Sequence, residues 1–390
     1  NALVRNWKLP AGALAFLALA AAAGSAYPEI VQRFRVAPNE ISMETPYIER
    51  QIENTRAAYG LDDVTVKPFD AEKEITADEI RNNEITVKNI RLWDSRPLLQ
   101  TYQQLQEIRT YYSFAKVDID RYTINGELRQ VMLSARELSY DKLPSRSWIN
   151  EHLSFTHGYG VCMTPVNRIT EEGMPEFYIK YIPPEHNTNV TVERTQIYFG
   201  ELPNQYVFVN TEADEFDYPK GNENVFADYS GTGGVLLDSF LKKAAFAIRF
   251  SSFETLLNTD INRESRVMIY RGITDSSRVP GRARRIMPLL GYESDPYIVV
   301  ADGKLKWVLD AYTISRTFPY SQHVGEDSAS GFNYIRNTVK IVIDAFDGDV
   351  NFYIFDPDDP IINTYSKIFP DVFRPASEIP ESVRRHVRYP

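Results

Sequence analysis

The chain of 390 residues is long enough for one large domain or two ordinary ones, and its 43% apolar and 25% charged residues exclude a disordered or fibrous protein. Its formal net charge of -10 argues against a nucleic-acid partner, because phosphate binding requires clustered lysines and arginines. Cys162 is the single cysteine, which excludes an intrachain disulfide and a Cys-x-x-Cys metal or redox site.

The first predicted element is a transmembrane helix at residues 9–27. This stretch has no charged residue and is rich in Ala and Leu, and about 20 apolar residues suffice to span a bilayer. Arg5 and Lys8 precede it, so residues 1–8 are expected on the cytoplasmic side. The alternatives are a signal peptide, because Gly24-Ser25-Ala26 would suit cleavage, and a buried core helix. We favour the span, and since the sequence begins with Asn rather than Met we expect further chain upstream.

Residues 28–120 are predicted to form a helical region next to the membrane. A helix is expected over residues 38–59, with Gly60 as its C-terminal stop. Thr76-Ala77-Asp78-Glu79 fits a capping box for a short second helix. A third helix should begin after Asp94 or Ser95. The residues expected on its apolar face are Leu98, Tyr102, Leu105 and Tyr112.

The hydrophobic period changes near residue 120, which is the predicted start of a second region, residues 121–390. Asn125-Gly126 lies between two strand-like stretches and predicts a hairpin, because both residues tolerate the positive φ angles of a type I′ turn. Asp302-Gly303 and Asp347-Gly348 predict two more hairpins. A looser fourth pair is expected between residues 196–200 and 205–210, on either side of Pro203.

Residues 235–250 show the spacing of an amphipathic helix within this strand-rich region. Leu236, Phe240, Ala244 and Ile248 recur at helical spacing and share one face. The predicted fold class is therefore α+β. It consists of one N-terminal transmembrane helix, a helical membrane-proximal region and an extracytoplasmic domain rich in antiparallel sheet.

His152, His157 and Glu151 are the candidate catalytic residues, and the two histidines are also candidate metal ligands. They lie in one short segment, and imidazole with carboxylate is what a zinc or general acid/base site requires. The His-Glu-x-x-His signature of metalloproteases is absent from the sequence. The alternative, which we favour, is that the histidines hydrogen-bond a turn at Gly158 and Gly160, because polar clusters are often structural.

Asp356, Asp358 and Asp359 are a second set of candidate metal ligands. They lie in a proline-stiffened loop, where their oxygens could coordinate calcium. The segment lacks the glycine and the final glutamate of an EF-hand loop. We favour the alternative of a solvated turn.

Two further segments have features of anion-binding sites. The backbone amides of residues 230–234, Ser-Gly-Thr-Gly-Gly, precede the predicted helix, but their spacing matches neither a dinucleotide fingerprint nor a P-loop. A plain tight turn is the alternative there. The basic cluster could contact lipid headgroups or a sister subunit, with a solvated face as its alternative. This cluster consists of Arg278, Arg282, Arg284 and Arg285.

Several runs of residues resemble UPF0182, an uncharacterised family of large multi-pass bacterial membrane proteins. Together they extend over nearly the whole chain. The runs are Val36-Ala37-Pro38-Asn39-Glu40, Asn89-Ile90-Arg91-Leu92-Trp93-Asp94, Gln103-Gln104-Leu105-Gln106-Glu107-Ile108-Arg109, Ser134-Ala135-Arg136-Glu137-Leu138, Thr156-His157-Gly158-Tyr159-Gly160, Ile197-Tyr198-Phe199-Gly200-Glu201, Glu215-Phe216-Asp217-Tyr218-Pro219 and residues 307–313.

This resemblance implies a location but no activity. The family's architecture implies several helices upstream, so residues 9–27 would be the last membrane helix and not a signal peptide. It also implies further chain beyond Pro390. The full-length protein is then expected in the cell membrane with residues 28–390 extracytoplasmic. The resemblance provides no ligand or catalytic residue.

Three functional hypotheses follow. The first is non-enzymatic: an extracytoplasmic domain, tied to the lipid bilayer, that binds an envelope component or a membrane partner protein. It rests on the lack of a catalytic signature, and it requires no cofactor. The alternative is a metal-assisted extracytoplasmic hydrolase with a metal ion at His152 and His157. The third hypothesis, part of a transporter, rests on the multi-pass architecture alone.

Overall fold

The computed structural model describes residues 8–68, 74–202, 205–221, 223–275, 280–324 and 331–389. Arg5, Pro203 and Arg278, which entered the predictions, lie outside the described residues. The chain divides into two compact units, Asn1–Thr76 and Ala77–Pro390. This division comes earlier in the chain than the change of hydrophobic period near residue 120.

The first unit is dominated by a long helix over residues 10–58, apolar enough near its N-terminus to span a membrane by length and composition. It consists of α1 (Lys8–Val31), a π-helical turn (Gln32–Val36), a 3-10 turn (Ala37–Asn39) and α2 (Glu40–Ala58). None of the apolar window is buried within the protein. Gly60 follows with φ of 63°, a left-handed conformation that ends the helix and confirms the predicted stop.

The second unit contains short helices. They are α3 (Ala77–Asn82), α4 (Glu84–Val87), α5 (Ser95–Gln106), α6 (Phe240–Phe250), α7 (Phe253–Leu257), α8 (Arg282–Ile286), α9 (Pro360–Ile368) and α10 (Glu381–Arg384). Among them, α5, α6, α7 and α9 begin at a side chain that caps the first turn. Asp94 accepts a hydrogen bond from the Arg96 amide and so starts α5 where predicted. Leu98 and Tyr102 are buried on α5, whereas Tyr112, predicted on the same face, lies in a strand.

The strands of the second unit are short, with a few long exceptions. They are β1 (Tyr112–Phe114), β2 (Asp118–Ile124), β3 (Glu127–Leu138), β4 (Gly158–Tyr159), β5 (Val161–Pro165), β6 (Ile179–Lys180), β7 (Glu185–His186), β8 (Gln196–Ile197), β9 (Val207–Val209), β10 (Phe216–Lys220), β11 (Glu223–Phe226), β12 (Val235–Leu236), β13 (Arg266–Met268), β14 (Gly291–Tyr292), β15 (Tyr297–Ala301), β16 (Lys304–Ser315), β17 (Tyr334–Asp344), β18 (Val350–Ile354) and β19 (Phe373–Pro375).

Two larger sheets organise these strands. The first has the order β1-β3-β5-β6-β7 with β2 paired to β3, and the second has the order β14-β16-β17-β18-β19 with β15 paired to β16. Asn125 and Gly126 have φ of 51° and 86°, which confirms the predicted type of turn between β2 and β3. The hairpins at Asp302-Gly303 and Asp347-Gly348 are also confirmed, and the α+β class with them.

The predicted pairing of residues 196–200 with 205–210 is wrong. Gln196–Ile197 pairs with Gly158–Tyr159, and Val207–Val209 pairs with Arg266–Met268. Gly158 permits the close approach of β4 to β3, since a Cβ atom there would lie 2.5 Å from the Arg136 carbonyl oxygen. Both short strands therefore take partners distant in sequence instead of each other.

The hydrophobic core lies entirely in the second unit. Within the described residues every buried side chain is at or after Leu98, and the largest core cluster draws on both large sheets. Trp307 of β16 lies at its centre, 1% exposed, and its indole nitrogen donates to the Phe199 carbonyl oxygen at 2.9 Å. Leu98, Tyr102 and Phe114 therefore belong to a core cluster of the sheet-rich unit.

Candidate functional site

His152 lies in a π-helical turn, Asn150–Ser154, that aims its ring at an aromatic cluster. Its Nδ1 donates to the Tyr206 carbonyl oxygen at 2.7 Å, and its ring stacks on the Tyr206 ring with centroids 4.0 Å apart. Burial lowers the pKa of His152, which favours the neutral imidazole. The neighbouring Glu151 forms an ion pair with Arg146, with Oε1 and Nε 2.6 Å apart.

His157 belongs to a different, fully buried polar network. Its Nε2 lies 3.2 Å from Asp217 Oδ1, and its Nδ1 lies 2.8 Å from the Thr156 hydroxyl. Thr156 and Tyr198 in turn donate to Glu215 Oε2, at 2.9 and 3.1 Å. Burial raises the pKa of the Glu215 carboxyl. The network satisfies its members internally, as a buried polar cluster must if it is not to destabilise the fold.

The structure therefore gives the two predicted histidines separate partners. The part of the chain that the structure describes holds no group of three or more His, Cys, Asp or Glu side chains placed to bind a metal. A metal-assisted hydrolase at His152 and His157 gains no support from this geometry, because a catalytic zinc requires three converging protein ligands and an open position.

A His152→Ala, His157→Ala double variant is expected to bind no less metal than the native chain and to unfold several degrees lower. The reason is that both rings hydrogen-bond protein atoms, so their loss leaves buried partners unsatisfied. Elemental analysis and thermal denaturation of the purified chain measure the two effects. His323→Ala serves as the control, since the hydrogen bond of its ring within the described residues is to the Arg316 carbonyl oxygen at an exposed site. Stoichiometric metal that disappears in the double variant alone would contradict the expectation.

The three aspartates of the second candidate set have separate structural tasks. Asp359 is buried, caps α9 by accepting from the Ile362 amide at 2.7 Å, and accepts from the Thr313 hydroxyl at 2.7 Å. Asp356 pairs with Arg336 at 3.4 Å. Asp358 is exposed, and its amide donates to Asp356 at 3.3 Å. Asp359 is thus buried rather than solvated, and each of the three aspartates has contacts of its own.

Backbone amides within residues 230–234 donate hydrogen bonds to a side-chain carboxylate of the same chain. The Thr232 and Gly233 amides donate to the Asp347 carboxylate at 2.8 and 3.3 Å, and the Tyr229 hydroxyl donates to it at 2.5 Å. The helix predicted to follow begins only at Phe240, where the Ser239 hydroxyl caps it, while Val235–Leu236 forms a strand. These hydrogen bonds therefore hold the loop of residues 230–234 against the β17–β18 turn.

A buried acidic cluster escaped the sequence analysis. Lys116 Nζ lies 3.6 Å from Asp118 and 3.2 Å from Glu201, and it also contacts Asp295. Burial raises the pKa of Asp118 to about 6, of Glu137 to about 7 and of Glu201 to about 8. Glu137 accepts from the Leu202 amide at 3.2 Å. The available signal was Glu137, which with Arg136 interrupts the mostly apolar end of β3.

Two buried arginines bond backbone carbonyls instead of carboxylates. Arg136 donates to Gln106 O at 2.8 Å and to Tyr159 O at 2.9 Å. Arg271 donates to Tyr198 O at 2.7 Å and to the Tyr140 hydroxyl at 2.8 Å, and also to Thr156 O. Each guanidinium joins segments that are distant in sequence, so we assign both a structural role.

The most unusual surface of the second unit is formed by α6 and α7. We define the α6–α7 apolar surface as five large side chains that are 70–80% exposed: Phe240, Leu241, Ile248, Phe253 and Leu257. An apolar groove of about 360 Å³ lies between them, lined among others by Ala244 and Leu256. Phe240 and Ile248, predicted to share one face of the helix, thus face solvent, whereas Phe246, Ala247 and Phe250 face the interior.

The basic cluster borders a cleft of about 300 Å³ lined by Val235, Tyr270 and Ile286. Arg282 donates to the Ile269 carbonyl oxygen at 3.2 Å, and Arg284 pairs with Asp275. The Arg285 guanidinium lies 3.7 Å from the centre of the Tyr270 ring, and that of Arg249 lies 5.3 Å from it. Neither Arg249 nor Arg285 has a carboxylate partner among the ion pairs of the described residues.

Comparison with known proteins connects these features to a family. The profile of the uncharacterised protein family UPF0182 matches residues 1–390. The chain belongs to this family. No solved structure matches the chain.

Individual UPF0182 relatives are close in sequence and much longer. A UPF0182 protein of Pelotomaculum thermopropionicum is 49% identical over 393 residues, covering 100% of this chain and 42% of that protein. One of Geotalea uraniireducens is 52% identical over 366 residues, covering 94% and 40%. One of Pelobacter propionicus is 52% identical over 365 residues, covering 93% and 39%. The chain thus spans about two fifths of the relatives' length.

Proposed function

We propose that this chain is a membrane-anchored, non-catalytic binding module. In this proposal the full-length protein crosses the cell membrane several times, and the second unit lies outside the cytoplasm and binds an envelope component or partner protein. The observation that carries the proposal is the α6–α7 apolar surface, because soluble domains rarely leave five neighbouring large apolar side chains in water unless a partner covers them. The apolar helix α1 supports the anchoring.

The non-catalytic part rests on how the ionisable residues are used. The two predicted histidines and the three loop aspartates hold their own fold together through the hydrogen bonds and ion pairs described above. A catalytic group must instead reach a reacting atom from a cleft. Turnover of envelope glycan, lipid or peptide by the purified chain, abolished by His157→Asn, would contradict this part.

Photo-crosslinking from the α6–α7 apolar surface tests the binding role. With Leu241 replaced by benzoylphenylalanine in the chain expressed in bacteria, irradiation is expected to give a covalent adduct with a discrete envelope component that mass spectrometry identifies. The matched control carries the same replacement at Leu128, which is 50% exposed on β3. Equal adducts at both positions, or none at either, would overturn the proposal.

A further inference from the structure

We infer that the α6–α7 apolar surface and the guanidinium groups beside it dock onto the anionic surface of a lipid bilayer, giving the protein a membrane contact in addition to its helical span. This inference rests on the proposed binding role and names the partner. Three features support it: the apolar side chains of α6 and α7, the neighbouring guanidiniums that have no carboxylate partner among the described residues, and the tether that α1 provides.

The apolar surface has the composition of an interfacial helix. Phe240, Leu241 and Ile248 follow one side of α6, and Phe253 of α7 continues it across the groove. The lysines of α6 do not interrupt it: Lys242 pairs with Asp238 at 2.8 Å, and Lys243 donates to the Asn258 carbonyl oxygen at 2.7 Å. Helices that lie in a bilayer interface insert such Phe and Leu side chains at the boundary between headgroups and acyl chains.

Positive charge lies next to this apolar surface and is continuous with it. Arg249 directly follows Ile248, and its guanidinium donates to the Tyr270 hydroxyl. The Arg285 guanidinium lies 3.7 Å from the centre of the same Tyr270 ring, and its Nε donates to the Pro280 carbonyl oxygen at 3.2 Å. In a chain of net charge -10, two guanidiniums without a carboxylate among the described residues form a local site for phosphate oxygens.

A bilayer fits this combination better than a soluble protein partner. Lipid phosphates can pair with Arg249 and Arg285 while acyl chains cover the neighbouring apolar side chains, so a single partner satisfies both features. A bilayer partner also does not have to be bound from solution, because the protein is already anchored in it. A domain tied covalently to a membrane helix meets the bilayer at a high effective concentration, so even a weak surface contact would be occupied.

Depth-sensitive quenching in the full chain tests this inference. The chain carrying Leu241→Cys is labelled with an environment-sensitive fluorophore and reconstituted into vesicles whose lipids bear a nitroxide on the acyl chain. Cys162 remains unlabelled because it is buried and burial raises the pKa of its thiol to about 11. Leu128→Cys, labelled identically, is the matched control.

Strong quenching is expected at position 241 in vesicles of phosphatidylcholine mixed with phosphatidylglycerol, and only weak quenching at position 128. An Arg249→Gln, Arg285→Gln double variant is expected to lower the equilibrium constant for docking at least roughly tenfold, because each basic residue near an anionic surface contributes about 1 kcal/mol to binding. In vesicles of phosphatidylcholine alone, the chain that retains Arg249 and Arg285 should show the same reduction in the equilibrium constant for docking.

The outcomes separate this inference from the proposed function. Quenching at position 241 no greater than at position 128 overturns the bilayer contact, and so does quenching that ignores both lipid charge and the two arginines. If position 241 then still crosslinks to one envelope protein, the binding role stands with a protein partner. If it gives neither quenching nor an adduct, both proposals fail.

Discussion

Replacing Arg271 by methionine is expected to lower the free energy of unfolding of the second unit by roughly 3 kcal/mol or more. The side chain is 1% exposed, and its guanidinium donates to oxygens of Tyr198, Tyr140 and Thr156. Methionine fills similar volume but leaves these buried oxygens without donors. Each unsatisfied buried acceptor costs about 1–3 kcal/mol.

Urea denaturation of the full chain, followed by tryptophan fluorescence, measures this change. Trp307 reports the relevant core, because its indole bonds the Phe199 carbonyl next to Tyr198. Arg263→Met is the control, since Arg263 is exposed, and it should change the unfolding free energy by less than about 0.5 kcal/mol. An Arg271→Met variant as stable as the control would show that Arg271 does not hold these segments together.

The second large effect concerns the acidic cluster and is expected as a dependence of stability on pH. Burial raises the pKa of Glu201 from its ordinary value of 4.5 to about 8. Between these values the unfolded chain releases a proton that the folded chain retains, so raising the pH increasingly favours the unfolded state. The stability that Glu201 provides is therefore complete below about pH 4.5 and lost as the pH rises through about 8.

Glu201→Gln should remove much of this dependence. Glutamine stays neutral in the folded and unfolded chain, so the variant is expected to be more stable than the native chain by about 2 kcal/mol or more above pH 8. Lys116 keeps Asp118 and Asp295 as partners in the variant. Urea midpoints measured from pH 5 to about 9 would show the effect. Glu264→Gln, at an exposed position, should leave the native slope unchanged, and an identical slope in Glu201→Gln would contradict the expectation.

The fold could be predicted where the determining signal was local. Asn125 and Gly126 are residue types that tolerate the positive φ angles of their turn, and Asp94 and Gly60 act on the adjacent turn of helix. The pairing of Gln196–Ile197 with Gly158–Tyr159 could not be read in this way, because two-residue strands carry no register signal of their own. The spacing grouped Phe240, Ala244 and Ile248 on one face of α6, but it wrongly included Leu236, and spacing alone does not show whether such a face meets the core or the solvent.

The candidate site was harder to predict than the fold, because its contacts join residues that are distant in sequence. His152 and His157 are close in sequence, yet their partners Tyr206 and Asp217 lie 54 and 60 residues further along. Only tertiary structure shows that these partners occupy each ring separately. The acidic cluster likewise unites Lys116, Glu137 and Glu201 from separate strands and loops, and no spacing along the chain connects them.

The arrangement of the two large sheets has a consequence for how the protein is made. The first sheet is complete by residue 186, and the second uses only residues from 291 onward, so the ribosome delivers them in succession. Domains synthesised from the N-terminus begin to fold before the chain is finished. The apolar face of the first sheet would then stay exposed to solvent until the strands around Trp307 leave the ribosome. That interval is when the nascent chain most needs a chaperone.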